Sequence, residues 1–139
     1  MITRLTHTTL LVLDQDQALD FYVNKLGFTV SMDKTTPTGF RWLTVTAPKQ
    51  PDLNLTLLKV EPGDVMNDKT STLLREVLTE GGMPAAGAFQ CDDCRATYAD
   101  LSAKGVKFRR EPTEQFYGVD ATFEDPFGNS FTLLEPKKP

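Results

Sequence analysis

Apolar and polar positions change period along this chain in an order that occurs twice. Leu5 to Leu13 (LTHTTLLVL) is short and rich in β-branched and aliphatic residues, which predicts a strand. Leu19, Tyr22, Val23 and Leu26 then recur at helical spacing and give one apolar face, with Asp14 or Asp16 as the cap and Gly27 as the left-handed stop. Phe28 to Met32, Phe40 to Thr46 and Leu53 to Val60 read as three strands, separated by turns at Thr36-Pro37-Thr38-Gly39 and Ala47 to Asp52. The second round runs through a strand at Ala88 to Cys91, a helix from Asp93 to Lys104, and strands at Val106 to Arg109, Phe116 to Phe123 and Ser130 to Glu135. Asp125-Pro126-Phe127-Gly128-Asn129 makes the last turn. Between the rounds, Pro62-Gly63, Gly81-Gly82 and Pro84 break the pattern around one helical segment, Ser71 to Leu78.

The rounds also echo each other in residues. Asp14 to Phe28 and Asp92 to Val106 both open Asp-rich and stop at a glycine, Gly27 or Gly105, 13 residues past the first Asp. Leu55-Thr56-Leu57-Leu58 is matched by Phe131-Thr132-Leu133-Leu134. Two copies of so long a unit are not a solenoid, which needs at least about three repeats. The pattern predicts a single domain of two tandem β-α-β-β-β modules, about residues 4–60 and 85–136, joined by a linker at about 61–84. Function is expected between the halves.

Charge narrows the partners. The chain has 139 residues and a formal net charge of −4, and its basic runs, Arg109-Arg110 and Lys137-Lys138, are too short for a nucleic-acid surface. No apolar stretch reaches the roughly 18 residues of a membrane span, and the opening MITRLTHTTLLVL moves straight into a strand pattern, so a soluble cytoplasmic protein is expected. Cys91 and Cys94 form a lone CxxC with no second pair or HxxxH to complete a zinc site. Asp92 and Asp93 between them disfavour thiolates, so the pair reads as two reduced thiols at a strand-to-helix turn.

HTTLLVLDQDQALDFYVNKLGF, His7 to Phe28, strongly resembles the opening of the vicinal oxygen chelate superfamily, which includes glyoxalase I, bleomycin-resistance proteins and extradiol dioxygenases; DPFGNSFTLLEP, Asp125 to Pro136, is similar to its closing motif. The resemblance implies an α+β fold in which the two modules form a cupped, barrel-like mixed sheet around a ligand cavity, commonly with a homodimer interface beside it. It also implies four metal positions on the first and last strands of the modules, where a divalent ion polarises vicinal oxygens of a substrate. Here those positions fall on His7, Thr56, Ala86 (or Ala85) and Thr132. One imidazole, two hydroxyls and an alanine make a poor site for Ni, Zn, Fe or Mn, so no cofactor is expected. Glu61 and Glu135 lie at odd offsets from Thr56 and Thr132, which strand alternation turns to the opposite face, and Gln90 lies too far along its strand.

His7 is the only histidine, and two readings of it stand: a polar group hydrogen-bonded inside the cup, or a general base or ligand-orienting donor. Alternation along Phe40 to Thr46 puts Phe40, Trp42 and Thr44 on one face and Arg41, Leu43 and Val45 on the other. Leu43 and Val45 suit a core under the helices, which assigns Phe40, Trp42 and Thr44 to the cavity. Phe89, Phe116, Tyr117, Phe123 and Phe127 add aromatic surface in the second module, with Tyr117, Thr56 and Thr132 as orienting groups. The predicted ligand contacts are therefore His7, Phe40, Trp42, Thr44, Thr56, Phe89, Tyr117 and Thr132, and the expected ligand is a small aromatic or cationic molecule. Arg41, Arg109 and Arg110 are anion-gripping groups that the pattern does not place on the inner surface. A metal-independent small-molecule binder like the bleomycin-resistance branch is the favoured reading. The alternative is a glyoxalase-like lyase or a dioxygenase with a degenerate metal site.

Overall fold

The computed structural model describes all 139 residues, Met1–Pro139, and the chain divides into two compact units, Met1–Glu76 and Val77–Pro139. In the first unit, strand β1 (His7–Val12) leads into helix α1 (Gln15–Leu19), which widens into π-helical winding over Asp20–Lys25. The Asp14 carboxylate caps α1 by accepting from the Gln17 backbone N–H at 2.8 Å, and Gly27 ends the helical run at φ +81. Strands β2 (Thr29–Thr35), β3 (Arg41–Ala47) and β4 (Gln50–Lys59) follow, and α2 (Asp68–Glu76) closes the unit. The four strands form one mixed sheet in the order β1-β4-β3-β2, with β1 parallel to β4.

The second unit repeats the plan. A π-helical segment, Val77–Gly81, precedes β5 (Met83–Gln90), α3 (Cys94–Ala103), β6 (Lys107–Gln115), β7 (Gly118–Glu124) and β8 (Asn129–Pro136). Its sheet runs β5-β8-β7-β6, with β5 parallel to β8. Asp93 caps α3 through the Ala96 N–H at 3.0 Å. The predicted sequence of two β-α-β-β-β modules is present in order and in topology.

Element ends differ from the pattern where strands lie at sheet edges or carry small residues. β2 continues three residues past Met32 through the exposed Asp33, Lys34 and Thr35, because its ladder to β3 and not burial defines it. β5 begins at Met83, well before Ala88, across a Pro/Ala/Gly stretch with no apolar periodicity. β6 runs through Pro112 to Gln115, tolerable because β6 is an edge strand. Phe116 and Tyr117, read as strand, form instead the turn between β6 and β7. The helix of the joining segment is Asp68–Glu76, three residues earlier at its start than the predicted Ser71.

Each sheet buries one face. In the first unit Leu10, Val12, Leu43, Val45, Leu55 and Leu57 are buried with Ala18, Phe21 and Tyr22 of the helix, and the ladder pairs Leu10 with Leu57 and Val45 with Leu55. Gln15 ties α1 to this sheet, its Nε2 donating to the carbonyls of Leu57 at 2.9 Å and Arg41 at 3.2 Å. In the second unit the buried face is aromatic: Phe123 and Phe131 lie 5.4 Å apart by ring centroid and both meet Phe89. Phe108 packs on Phe123 at 5.6 Å and receives Tyr98 of α3 at 4.6 Å. The Glu135 carboxylate accepts from the Cys94 N–H at 2.9 Å, pinning the start of α3.

Candidate functional site

The remaining face of each sheet holds the chemistry. On the first sheet one row across the strands reads Thr9, Thr56, Thr44 and Met32. Beside it, Leu11 pairs with Leu58 and Trp42 with Lys34, and His7 pairs with Asn54. Phe40 meets Trp42 edge to face at 4.8 Å. Phe40, Trp42 and Thr44 thus share a face with Thr56, as alternation required, while Leu43 and Val45 are fully buried on the other. Thr44 and Thr56 are buried, yet Trp42 is 44% exposed and Met32 50% exposed. A bulge between Val30 and Met32 brings Ser31 onto this face, where its hydroxyl donates to Asn54 Oδ1 at 2.7 Å and lies 2.6 Å from the Thr44 hydroxyl. The face is therefore hydroxyl- and amide-rich in its middle, with exposed apolar surface at Trp42 and Met32.

His7 is exposed, its Nδ1 3.0 Å from the Thr6 hydroxyl. Burial along β1 begins only at Leu10, so the imidazole is bonded by a neighbouring threonine but is not enclosed within its unit.

On the second sheet one row reads Ala88, Thr132, Thr122 and Arg110. Phe89 is not on this face. It pairs with Leu133 and its ring stacks into the Phe123–Phe131 core, so the structure removes it from the predicted ligand contacts. The reason is alternation: Phe89 follows Ala88, which lies in the Thr132 row, so its ring turns to the core face. Upstream, Met83 to Gly87 spans only Asn129 to Phe131 of β8, a bulge that contains Ala85 at φ +51 and Ala86, both without a ladder partner.

Tyr117 belongs to a cluster that sequence spacing did not disclose. Asp120 is 4% exposed, and its carboxylate accepts from the Tyr117 hydroxyl at 2.5 Å, from Arg110 Nη2 at 2.8 Å and from Gln115 Nε2 at 3.5 Å. Arg110 Nη1 also donates to the Asp120 carbonyl at 3.2 Å. Burial alone would raise the Asp120 carboxyl, but the Tyr117 hydroxyl and the Arg110 guanidinium more than reverse that and hold it below the ordinary range. The same hydrogen bond to Asp120 pushes the Tyr117 hydroxyl up. Glu124 repeats the arrangement four residues along: it accepts from Arg109 Nε at 2.6 Å and from Lys107 Nζ at 3.0 Å, and these partners overcome its desolvation to keep it ionised. Both buried acids of β7 are thus spoken for by cations of β6.

The metal positions do not fit a metal. They contribute one exposed imidazole, two hydroxyls and the Ala86 methyl, and no group of three or more His, Cys, Asp or Glu side chains stands together for an ion. The nearby acids are engaged elsewhere, Glu135 on the Cys94 N–H and Glu61 with Lys59 at 3.3 Å. Cys91 and Cys94 are free thiols. Burial is the main cause that raises both, Cys94 to about 11, with the neighbouring acids a smaller contribution. A cleft in the first unit, lined by Phe40, Lys59, Glu61 and Asp64, measures about 120 Å³, below the roughly 300–1,000 Å³ of a drug-sized pocket.

This fold and these two faces are those of one family: the chain belongs to the Glyoxalase/Bleomycin resistance protein/Dioxygenase superfamily, whose model matches residues 4–133. Its relatives include the uncharacterized protein YurT of Bacillus subtilis (strain 168), 36% identical over 129 residues, which are 92% of this chain and 95% of YurT. Among solved structures it is similar to UcmS2, with 39% identity and a TM-score of 0.88 over 97% of this chain and 99% of that one. It is also similar to TnmS3, an antibiotic binding protein from Streptomyces sp. CB03234, with 29% identity and a TM-score of 0.73 over 98% of both chains. No helix is long and apolar enough to cross a membrane.

Proposed function

We propose that this protein is a metal-independent binder of small aromatic molecules of the antibiotic class, which it sequesters without chemical change, as a cytoplasmic homodimer. The observation that carries the reading is the first sheet's non-core face, where an exposed Trp42 and Met32 flank the hydroxyls of Thr44 and Thr56 with no carboxylate among them. Such a surface binds by stacking, apolar contact and hydrogen bonds. Trp42 and Phe40 supply the ring surface, Met32 adapts to its outline, and Thr44 and Thr56 offer hydroxyls that donate or accept. The likeness to TnmS3 over the whole chain supports the ligand class. The lyase or dioxygenase alternative requires an ion to polarise the substrate, and His7, Thr56, Ala86 and Thr132 do not make that ion a home. The two free thiols suit a reducing compartment.

The test is a thermal-shift screen of the protein dialysed against EDTA, with anthracyclines, bleomycin and simpler polycyclic aromatics. A ligand present at 100 times its Kd stabilises by about 2.7 kcal/mol, a shift of several degrees. No shift with any aromatic ligand, or turnover of a hemithioacetal or a catechol that appears on adding Ni, Zn or Fe, would overturn the reading.

A further inference from the structure

Arg110 is the one charged residue in the row that carries Thr132, Thr122 and Ala88. Its ladder partner is Thr122, on the adjacent strand about 4.8 Å away, and Thr132 lies one strand further along the same row. Its guanidinium is not free to wander. Nη2 is bound to the Asp120 carboxylate and Nη1 to the Asp120 carbonyl, and both acceptors come from one buried residue. Its side chain is nevertheless 39% exposed, and its Nε–H and remaining hydrogens have no partner in the chain. The Tyr117 hydroxyl is committed to the same carboxylate, so towards a ligand the tyrosine oxygen can only accept. Asp120 itself is buried and accepts from three donors, so its charge is turned inward. What the cluster presents outward is a fixed fork of donors beside two threonine hydroxyls.

We propose that Arg110, clamped by Asp120, is the specificity-determining residue of the second sheet's face, and that it selects aromatic ligands bearing an anionic or strongly accepting oxygen, such as a carboxylate, over cationic ones. The inference rests on the small-molecule binding reading above and names a ligand class for the second sheet's own face. It also narrows the expectation of a small aromatic or cationic ligand: the chain is acidic overall, but the acids of β7 are neutralised by Arg110, Arg109 and Lys107. A guanidinium held in place loses less freedom on binding a planar carboxylate than a mobile one does, which favours acceptor recognition. Asp120 acts here as a positioning residue.

The experiment is calorimetric titration of the full chain with a matched pair of probes, 2-naphthoate and 2-naphthylmethylammonium, against wild type, R110M, R110K and D120N. Wild type is expected to bind the naphthoate at least tenfold more tightly than the ammonium. R110M should lose that preference by weakening the naphthoate at least tenfold while leaving the ammonium within twofold, and R110K, which keeps the charge without the fork, should fall between. D120N separates positioning from net charge: removing a negative charge alone would strengthen the naphthoate, whereas loss of the clamp weakens it. Binding of both probes with equal strength, R110M or R110K weakening both alike, or D120N strengthening the naphthoate would each overturn the inference and leave the binding reading standing. Failure of wild type to bind either probe also overturns the inference, while the binding reading is decided by the thermal-shift screen.

Discussion

Replacing Asp120 with Asn isolates the buried charge of the second sheet with little change of shape. In wild type the carboxylate receives two short charge-assisted bonds, from Tyr117 at 2.5 Å and Arg110 at 2.8 Å. Bonds to a charged group contribute about 1.5–3 kcal/mol and neutral ones about 0.5–1.5 kcal/mol, so two such replacements cost about 2 kcal/mol in all. For a chain of this size that is a fall in Tm of roughly 6–8 °C at pH 7. The pH dependence is the sharper signature. Asp120 titrates below its ordinary value in the folded protein, so its contribution is fully present above the unfolded pKa, about 3.9, and is lost as pH falls through the folded pKa. Thermal unfolding of wild type and D120N from pH 7 down to pH 2.5 should therefore show a gap that is constant above about pH 5 and closes in acid. Glu124 and its cations are the same in both proteins and cancel in the difference. A gap that stays open to pH 2.5, or no gap at pH 7, would refute the assignment of Asp120 as an ionised acceptor.

The order of elements was legible because each module is punctuated by its own residues. The capping Asp14 and Asp93, the helix-ending Gly27 and Gly105, and the alternation along Arg41–Ala47 all act locally, and the structure uses each of them for that purpose. The shared face of Phe40, Trp42 and Thr44 followed from period 2, and Thr56 and Thr132 came from the family resemblance. Phe89 is assigned to the cavity by its aromatic character, whereas alternation from Ala88 turns it to the core. The Asp120 cluster was hidden for another reason. Arg110 sits between two irregularities of the β6–β7 ladder, at Phe108/Arg110 and Arg110/Thr113, so its facing and its distance from Asp120 cannot be counted along the chain. The sequence pattern puts Tyr117 in a strand, whereas its place in the turn is what lets its hydroxyl fold back onto Asp120.

Further outcomes follow from individual packing sites. A Cβ at Gly118, φ +145, would overlap the Glu135 carbonyl oxygen and stand 2.9 Å from the Lys137 nitrogen, so G118A should lose about 3 kcal/mol or more, seen as a Tm fall above 10 °C or loss of soluble protein; an unchanged Tm would contradict the strand geometry. F131A removes a ring 1% exposed at the centre of the aromatic core, and should cost about 3–5 kcal/mol in urea unfolding with an unchanged m-value. The Cys94 thiol, pushed up to about 11, should react with iodoacetamide at pH 8 roughly two orders of magnitude more slowly than in the unfolded chain, whose thiols titrate near 8.5; modification at the unfolded rate would show it is not buried in solution.

The central claim, binding at the Trp42 face without a metal, is tested most directly by the emission of Trp42 itself, the only tryptophan in the chain. With an aromatic ligand from the thermal-shift screen, the account predicts a saturable change in that emission at one equivalent per chain. The curve should be identical in EDTA and in added Zn or Ni, with at least tenfold weaker binding in T56V measured the same way. An emission that ignores a ligand which binds by calorimetry, or a titration that disappears in EDTA, would contradict it.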